Sequence, residues 1–430
     1  RRHTRYPLVT GVQTCALPIS LGSFLDCFGI TFDGLHIHFG QNTGVGSEWE
    51  ARTKVLRIIA RMNVGGPAIQ VTAMMEGLGK FGIKQELITG YCEDGEEDYL
   101  KSHLIELGEI RIEGLGRSLN LFDDLRAFFK IRSFMKRFNP DIVHTHTAKA
   151  GVLGRLASLS LGKNAIRVHT FHGHLLYGYF SKWKTRLVIL LERFLAARTD
   201  ALVAVGQKVA DDLLSVGIGN KKKYSVIPPG FPMKQPEGRI SRGDIGISTD
   251  SFCCVWIGRL VDIKRPERIL EIAREIGKIS NGIYFLVVGG GPHLSLLQES
   301  AAKENLPITF LGWREDIEEL IALSDLMILT SDNEGTPLSL IQAQRQGKPV
   351  LSTDVGSVRE VMIQDETGFA LTYDAKAFAI KIQEMKDDPE KYDSFSRAAL
   401  KFSSVRFSEA RLVNDYVNLY SKLILRRSNS

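Results

Sequence analysis

Beyond residue 54, the 430-residue chain alternates short continuous apolar runs with longer stretches in which apolar residues recur every three or four positions. Short runs bounded by Gly, Pro or Asn mark strands buried on both faces. They predict strands at 55–59, 86–89, 142–144, 166–171, 201–205 and 224–227. The longer stretches predict helices over 69–80, 122–138 and 182–198. A turn-rich segment without a clear period, 228–251, begins with Pro228-Pro229-Gly230, and a second strand series follows at 252–257, 284–288, 308–311, 326–329 and 349–352. Strands that alternate with helices predict an α/β fold, here two Rossmann-like, doubly wound domains facing a cleft. The expected division is 54–227, 228–408, and a C-terminal helix within 409–430 that is long enough to cross back onto the first domain.

Residues 1–53 stand outside this pattern. Arg1, Arg2 and Arg5 before a moderately apolar stretch imitate a signal peptide. Val9-Thr10-Gly11-Val12-Gln13-Thr14-Cys15-Ala16-Leu17-Pro18-Ile19, however, resembles the in-frame translation of a common sequencing-library adapter, and the first Met is Met62. We read 1–20 as adapter-like and 1–53 as a non-native or disordered extension; a native extension stays open as the alternative.

Composition narrows the partners. Apolar residues at 44% and charged residues at 24% are ordinary for a soluble globular protein. The net charge of +6 permits attraction to phosphate-bearing ligands or anionic lipid, but it is too dilute for a dedicated nucleic-acid binder. Cys15, Cys27, Cys92, Cys253 and Cys254 show no metal-ligand spacing, and the last two point to opposite faces of one strand, which suggests a reduced, cytoplasmic chain. No run reaches the roughly 18 apolar residues of a membrane span.

The candidate chemistry lies in two stretches. Gly258-Arg259-Leu260-Val261-Asp262-Ile263-Lys264 follows the predicted strand 252–257, which places Arg259 and Lys264 at the carboxyl edge of a sheet, where open α/β folds bind ligands. Asn333-Glu334-Gly335-Thr336-Pro337 opens a helix, with Thr336 as the expected N-cap, Pro337 as the first helical residue and Gly347 as the stop. Two cations facing a helix N-terminus make a diphosphate site. Gly65 and Gly66, between a strand and a helix, let backbone amides approach a phosphate or sugar; plain turn chemistry is the competing reading. Gly289-Gly290-Gly291 reads as a structural turn before a helix begun by Pro292. It lacks the spaced dinucleotide fingerprint of an NAD-dependent oxidoreductase. Trp313, beside Arg314, is read either as a stacking platform or as a packing residue. The cluster His169, His172 and His174 has no carboxylate or cysteine beside it, so no metal is expected; for His144 and His146, packing is expected of one.

In this order and spacing the motifs resemble those of the family 4 retaining glycosyltransferases of GT-B architecture, over roughly 55–425. The matching pieces are Asn63-Val64-Gly65-Gly66, Asp141-Ile142-Val143-His144-Thr145-His146, His169-Thr170-Phe171-His172-Gly173-His174, Gly258-Arg259 with Lys264, Val287-Val288-Gly289-Gly290-Gly291-Pro292 and Glu334-Gly335-Thr336-Pro337. The resemblance implies that Arg259 and Lys264 hold the donor diphosphate, that His172 lies near the donor sugar, and that Glu334 bonds the sugar hydroxyls. It further implies donor contacts at Gly65, Gly66, Gly335, Thr336 and Leu338, with the base resting against Trp313 and Arg314. The family has a second Glu eight residues after the first, on the ribose; here Gln342 stands in its place. A neutral hydrogen bond there is worth about 0.5–1.5 kcal/mol against about 1.5–3 for a charged one.

The implied function is metal-independent, retaining transfer of a hexose-type sugar from a nucleotide-diphosphate sugar to a glycan or lipid-linked acceptor of cell-surface polysaccharide assembly, with no cofactor. Two alternatives stay open: a nucleotide-sugar epimerase or phosphorylase on a similar scaffold, and a non-catalytic nucleotide-sugar-binding paralogue. The basic, apolar-rich stretches 126–137 and 177–186 suggest an anionic membrane surface, at the inner face of the plasma membrane, as a further partner; an ordinary solvated helix face is the competing reading.

Overall fold

The computed structural model describes residues 52–93, 96–116, 120–162, 165–173, 182–232 and 235–429. All belong to the second of two compact units, 48–430, so the extension read over 1–53 lies outside the described residues except for Arg52 and Thr53.

The first half builds a seven-stranded parallel sheet from β1 (Lys54–Ile58), α1 (Gly66–Gly79), β2 (Lys84–Thr89), α2 (Tyr99–Ser102), β3 (Ile110–Arg111), α3 (Leu121–Phe138), β4 (Ile142–His146), α4 (Ala148–Ser160), β5 (Ile166–Phe171), α5 (Lys182–Ala197), β6 (Ala201–Ala204), α6 (Gln207–Ser215) and β7 (Tyr224–Val226). Its strand order is β3-β2-β1-β4-β5-β6-β7. The second half builds a six-stranded sheet from β8 (Phe252–Ile257), α7 (Arg268–Ile279), β9 (Ile283–Val288), α8 (Leu294–Lys303), β10 (Ile308–Gly312), α9 (Ile317–Leu323), β11 (Leu326–Leu329), α10 (Leu338–Arg345), β12 (Val350–Thr353) and β13 (Gly368–Leu371), in the order β10-β9-β8-β11-β12-β13. Helices α11 (Ala375–Asp387), α12 (Pro389–Arg406) and α13 (Glu409–Ser428) complete the chain.

Both sheets are doubly wound, since the order reverses beside β1 in the first and beside β8 in the second. Each reversal leaves a crevice at the carboxyl ends of the strands, where the loops following β1, β4, β8 and β11 gather. Strands buried on both faces carry the continuous apolar runs; β12 and β4 are buried along their whole length. Helix α13 returns to the first sheet, where Leu412, Tyr416 and Tyr420 are buried with Val55, Val71 and Met74.

Two local expectations need correction. Helix α10 begins at Leu338 with Pro337 in the cap position, not at Pro337 with Thr336 as cap. The Thr336 hydroxyl reaches across the cleft to the Val205 carbonyl at 3.4 Å, so it is not used on its own helix. Likewise α8 begins at Leu294, two residues after Pro292, because His293 takes the cap position.

Candidate functional site

A cavity of about 440 Å³ lies between the two sheets. Gly66 and Leu338, the first residues of α1 and α10, both line it, and a Cβ on Gly66 would stand 3.4 Å from Leu338 Cδ1. Neither helix has a side chain capping its first turn. The positive ends of two helix dipoles, one from each half of the chain, therefore meet on one wall of the cavity with amides still to be satisfied. Arg259 lines the same space at the end of β8, is exposed, and makes no ion pair among the described residues. Together these groups suit a diphosphate.

Lys264 donates to Glu334 Oε1 at 2.6 Å, and the Ser331 hydroxyl donates to the same oxygen at 2.5 Å. An ammonium has three donors, so Lys264 retains two for a phosphate while it orients the carboxylate. Glu334 is 8% exposed, and its loop is cradled by Gly356. At φ +54° Gly356 is left-handed, and a Cβ there would stand 1.8 Å from the Glu334 carbonyl oxygen, so only glycine fits.

The two halves touch beside this loop. A Cβ on Gly335 would lie 3.1 Å from both Gly173 Cα and the His172 carbonyl oxygen, so two glycines are what let the walls come this close. Farther along, the Glu360 carboxylate accepts from the Gln207 amide at 2.5 Å and the Lys208 amide at 2.7 Å, capping α6 from the opposite half. The Ser357 amide in turn donates to the Glu334 carbonyl at 3.3 Å, which ties this cap to the Glu334 loop. Glu360→Gln is expected to lower the melting temperature by about two to four degrees, the loss of roughly 1 kcal/mol of helix-terminus charge, and to raise the donor KM by less than about tenfold. Calorimetry and donor kinetics check this; an unchanged KM would separate the cap from the site.

Beneath the cleft lies a buried histidine network. His146 Nδ1 and His172 Nε2 are 2.9 Å apart, while His146 Nε2 is buried without a partner among the described residues. An orphaned N–H costs more than an orphaned lone pair, so the His146 proton belongs on Nδ1, donating to His172 Nε2, and His172 keeps its own proton on Nδ1. Burial pushes the His172 imidazole down to about 3 and holds His146 well below the ordinary histidine value, so this pair is neutral. His144 bonds Thr170 and the Tyr420 hydroxyl of α13, each at 2.7 Å. Arg57 Nη1, 3.0 Å from Nδ1, fixes that nitrogen as an acceptor. His169 is engaged by Thr145 at 2.8 Å, over Gly151, where a Cβ would come within 2.5 Å of its ring. Packing was expected of one of His144 and His146; both are fully buried. His174 lies outside the described residues.

Of the residues singled out from the sequence, the cavity gathers Gly65, Gly66, Arg259, Trp313, Arg314, Leu338 and Gln342 on its walls. Trp313 is 49% exposed, and Arg314 is held by Asp316 at 2.7 Å. Lys264, Glu334, Gly335 and Thr336 form the neighbouring loop contacts, with His172 facing Gly335. The sequence reading missed Ser331, Gly356, Glu360 and the pairing of His146 with His172. It also missed Glu97, which lines the cavity with Trp313 and Glu315, is hydrogen-bonded to both, and has its carboxyl raised by burial first and then by the bond with Glu315. These have no local motif, and only the fold brings them to the cleft.

Comparison with known proteins agrees with this geometry. The family model described as Glycosyltransferase Family 4 matches residues 64–235, and that described as Glycosyl transferases group 1 matches residues 239–402. The chain is 30% identical over 291 residues to the UDP-Gal:alpha-D-GlcNAc-diphosphoundecaprenol alpha-1,3-galactosyltransferase of Escherichia coli, covering 64% of this chain and 73% of that protein. It is 25% identical to the N-acetyl-alpha-D-glucosaminyl L-malate synthase of Bacillus anthracis, covering 69% and 78%. Among solved structures, Anabaena HepE in complex with UDP and glucose superposes with a TM-score of 0.73 at 20% identity, covering 86% of this chain and all of that one. Sucrose-phosphate synthase from Thermosynechococcus elongatus gives 0.73 at 19% identity, covering 87% and 100%. The chain belongs to glycosyltransferase family 4, with the GT-B fold.

Proposed function

We propose that this glycosyltransferase of glycan assembly moves a hexose-type sugar from a UDP-sugar to a glycan or lipid-linked acceptor, with retention of anomeric configuration and without a metal. The observation that carries the donor reading is the meeting of two uncapped helix N-termini beside Arg259 in one cavity. That arrangement supplies the positive potential a diphosphate leaving group needs as the bond between the anomeric carbon and the phosphate oxygen breaks. Relatives named for UDP or a UDP-sugar support the choice of base. In this reading Glu334, oriented by Lys264 and Ser331, accepts from sugar hydroxyls, and His172, whose Nε2 is taken by His146, donates through Nδ1–H.

No side chain serves here as a covalent nucleophile. The acceptor hydroxyl attacks on the face from which the diphosphate leaves, and its proton passes to the departing phosphate oxygen; the protein positions and stabilises charge. A cytoplasmic protein acting at the inner membrane face suits a lipid-linked acceptor. Gln342, on the cavity wall, favours one competing reading, a binder that holds the donor without turnover. The test is a panel of UDP- and GDP-sugars scored by thermal shift, followed by proton NMR of the sugar released or transferred. A donor-specific shift with a retained anomeric centre is expected. An inverted product contradicts the mechanism, and a shift with no product leaves only the binder.

A further inference from the structure

We propose that the outward face of α5 docks the protein onto an anionic lipid bilayer at the cleft edge of the first sheet. The helix is amphipathic in the inverse sense. Its inward side holds Glu192, buried and bound through both carboxylate oxygens to Arg155 Nη2 of α4 at 2.8 Å, with Leu195 and Ala196 beside it. Its outward side carries Trp183, Leu187, Leu190, Leu191 and Phe194, which are between 39% and 61% exposed. Their spacing of four, three, one and three residues draws a single stripe along the helix. A helix that only needed to cover its own domain would turn these residues inward.

The surroundings select the occupant. Lys184, Arg186 and Arg193 lie on the exposed side of the same helix, and Arg198 follows its end. The Lys184 ammonium stands 5.6 Å from the Trp183 ring and the Arg198 guanidinium 3.8 Å from the Phe194 ring, so charge and apolar surface share one face. Across α4, helix α3 repeats the pattern with exposed Leu121, Phe122, Leu125 and Phe129 among Arg126, Lys130, Lys136 and Arg137. Apolar stripes flanked by cations lie in the plane of a bilayer interface, and anionic headgroups reinforce them. Among the described residues no helix is long and apolar enough to cross a membrane, so docking is superficial. In a parallel sheet each helix begins at the carboxyl edge of the strands. Trp183 and Leu121 therefore stand at the edge that carries His146 and the loop bearing His172. A membrane under this face presents a lipid-linked acceptor to the cleft, and in that purpose the inference rests on the proposed acceptor class.

The test uses the full chain with sedimented vesicles of phosphatidylcholine alone or of two parts phosphatidylcholine to one part phosphatidylglycerol. The parent is expected to bind the anionic vesicles, more weakly as salt rises, and Leu187→Glu with Leu190→Glu to reduce the partition coefficient by about tenfold or more. A charge-matched control, Leu296→Glu with Leu400→Glu on exposed residues of the second half, is expected to bind like the parent. Equal binding to both vesicle types, no binding, or parent-like binding by the α5 double variant overturns the proposal. So does a parent dimer that the double variant converts to monomer, since a second copy then covers the stripe. Donor hydrolysis without vesicles, read on the same samples, keeps the two readings separate: its absence in every sample counts against catalysis, while the vesicle arms still decide docking.

Discussion

Arg259→Ala is expected to lower turnover of the nucleotide-sugar donor by about two to three orders of magnitude, the usual cost of one donor aimed at developing negative charge. The melting temperature should stay within about a degree or two of the parent's, because an exposed side chain is being removed. Arg259 is exposed and without an ion pair among the described residues, so the fold does not depend on its charge. Arg259 lines the cavity on whose wall two helix N-termini already concentrate positive potential. The charge it meets grows as the sugar–phosphate bond breaks, so kcat should fall more than KM rises. Lys264→Ala should behave differently, since it also strips Glu334, 8% exposed, of its cation and should lower stability together with activity. Steady-state nucleotide release and scanning calorimetry on both variants check the contrast. A change of less than about threefold for Arg259→Ala would remove it from the reaction.

Between pH 6.5 and pH 5 the protein is expected to lose stability steeply. Burial, before any other cause, holds His144, His146 and His169 well below the ordinary histidine value; the charges of Arg57 on His144, His144 on His146 and Arg155 on His169 come next. The unfolded chain takes up these protons near pH 6.5, whereas the folded chain refuses them until much lower pH. Stability is therefore complete above about pH 6.5 and is lost as pH falls toward the folded values, at up to about 1.4 kcal/mol per pH unit for each histidine. Three such groups amount to roughly 4 kcal/mol per unit, on the order of ten degrees in melting temperature. His172 borders the cleft and is left out of that sum. A melting temperature that stays flat from pH 7 to pH 5 would mean that the network is hydrated or already charged.

Much of this architecture was legible in the chain. Strands β5, β8 and β11 coincide with the predicted 166–171, 252–257 and 326–329, because continuous apolar runs bounded by turn residues have few other uses. Strand β3 is two residues long, and β13 offers only Phe369-Ala370-Leu371 between the polar run Gln364-Asp365-Glu366-Thr367 and Thr372, too short a run to stand out, so both were missed. The site was legible where it lies on loops that leave a strand: Gly65, Gly66 and Arg259 follow from the sheet edge alone. What escaped are contacts between distant segments. Gly356 looks like any loop glycine until Glu334 is seen against it, and Glu360 until α6 is seen above it. The outward face of α5 was legible only at its start, in the part of the stretch 177–186 that lies within the described residues; its continuation through Leu187, Leu190, Leu191 and Phe194 was not, because periodicity finds a stripe but only packing tells which side it faces.

Release of UDP from a UDP-sugar, with and without inorganic phosphate and with and without acceptor, separates glycosyl transfer from its rivals in one measurement. Slow release without acceptor, acceleration by acceptor, indifference to inorganic phosphate, and near-abolition in Arg259→Ala are expected. Donor binding without release under any condition, or release that requires inorganic phosphate, would contradict glycosyl transfer.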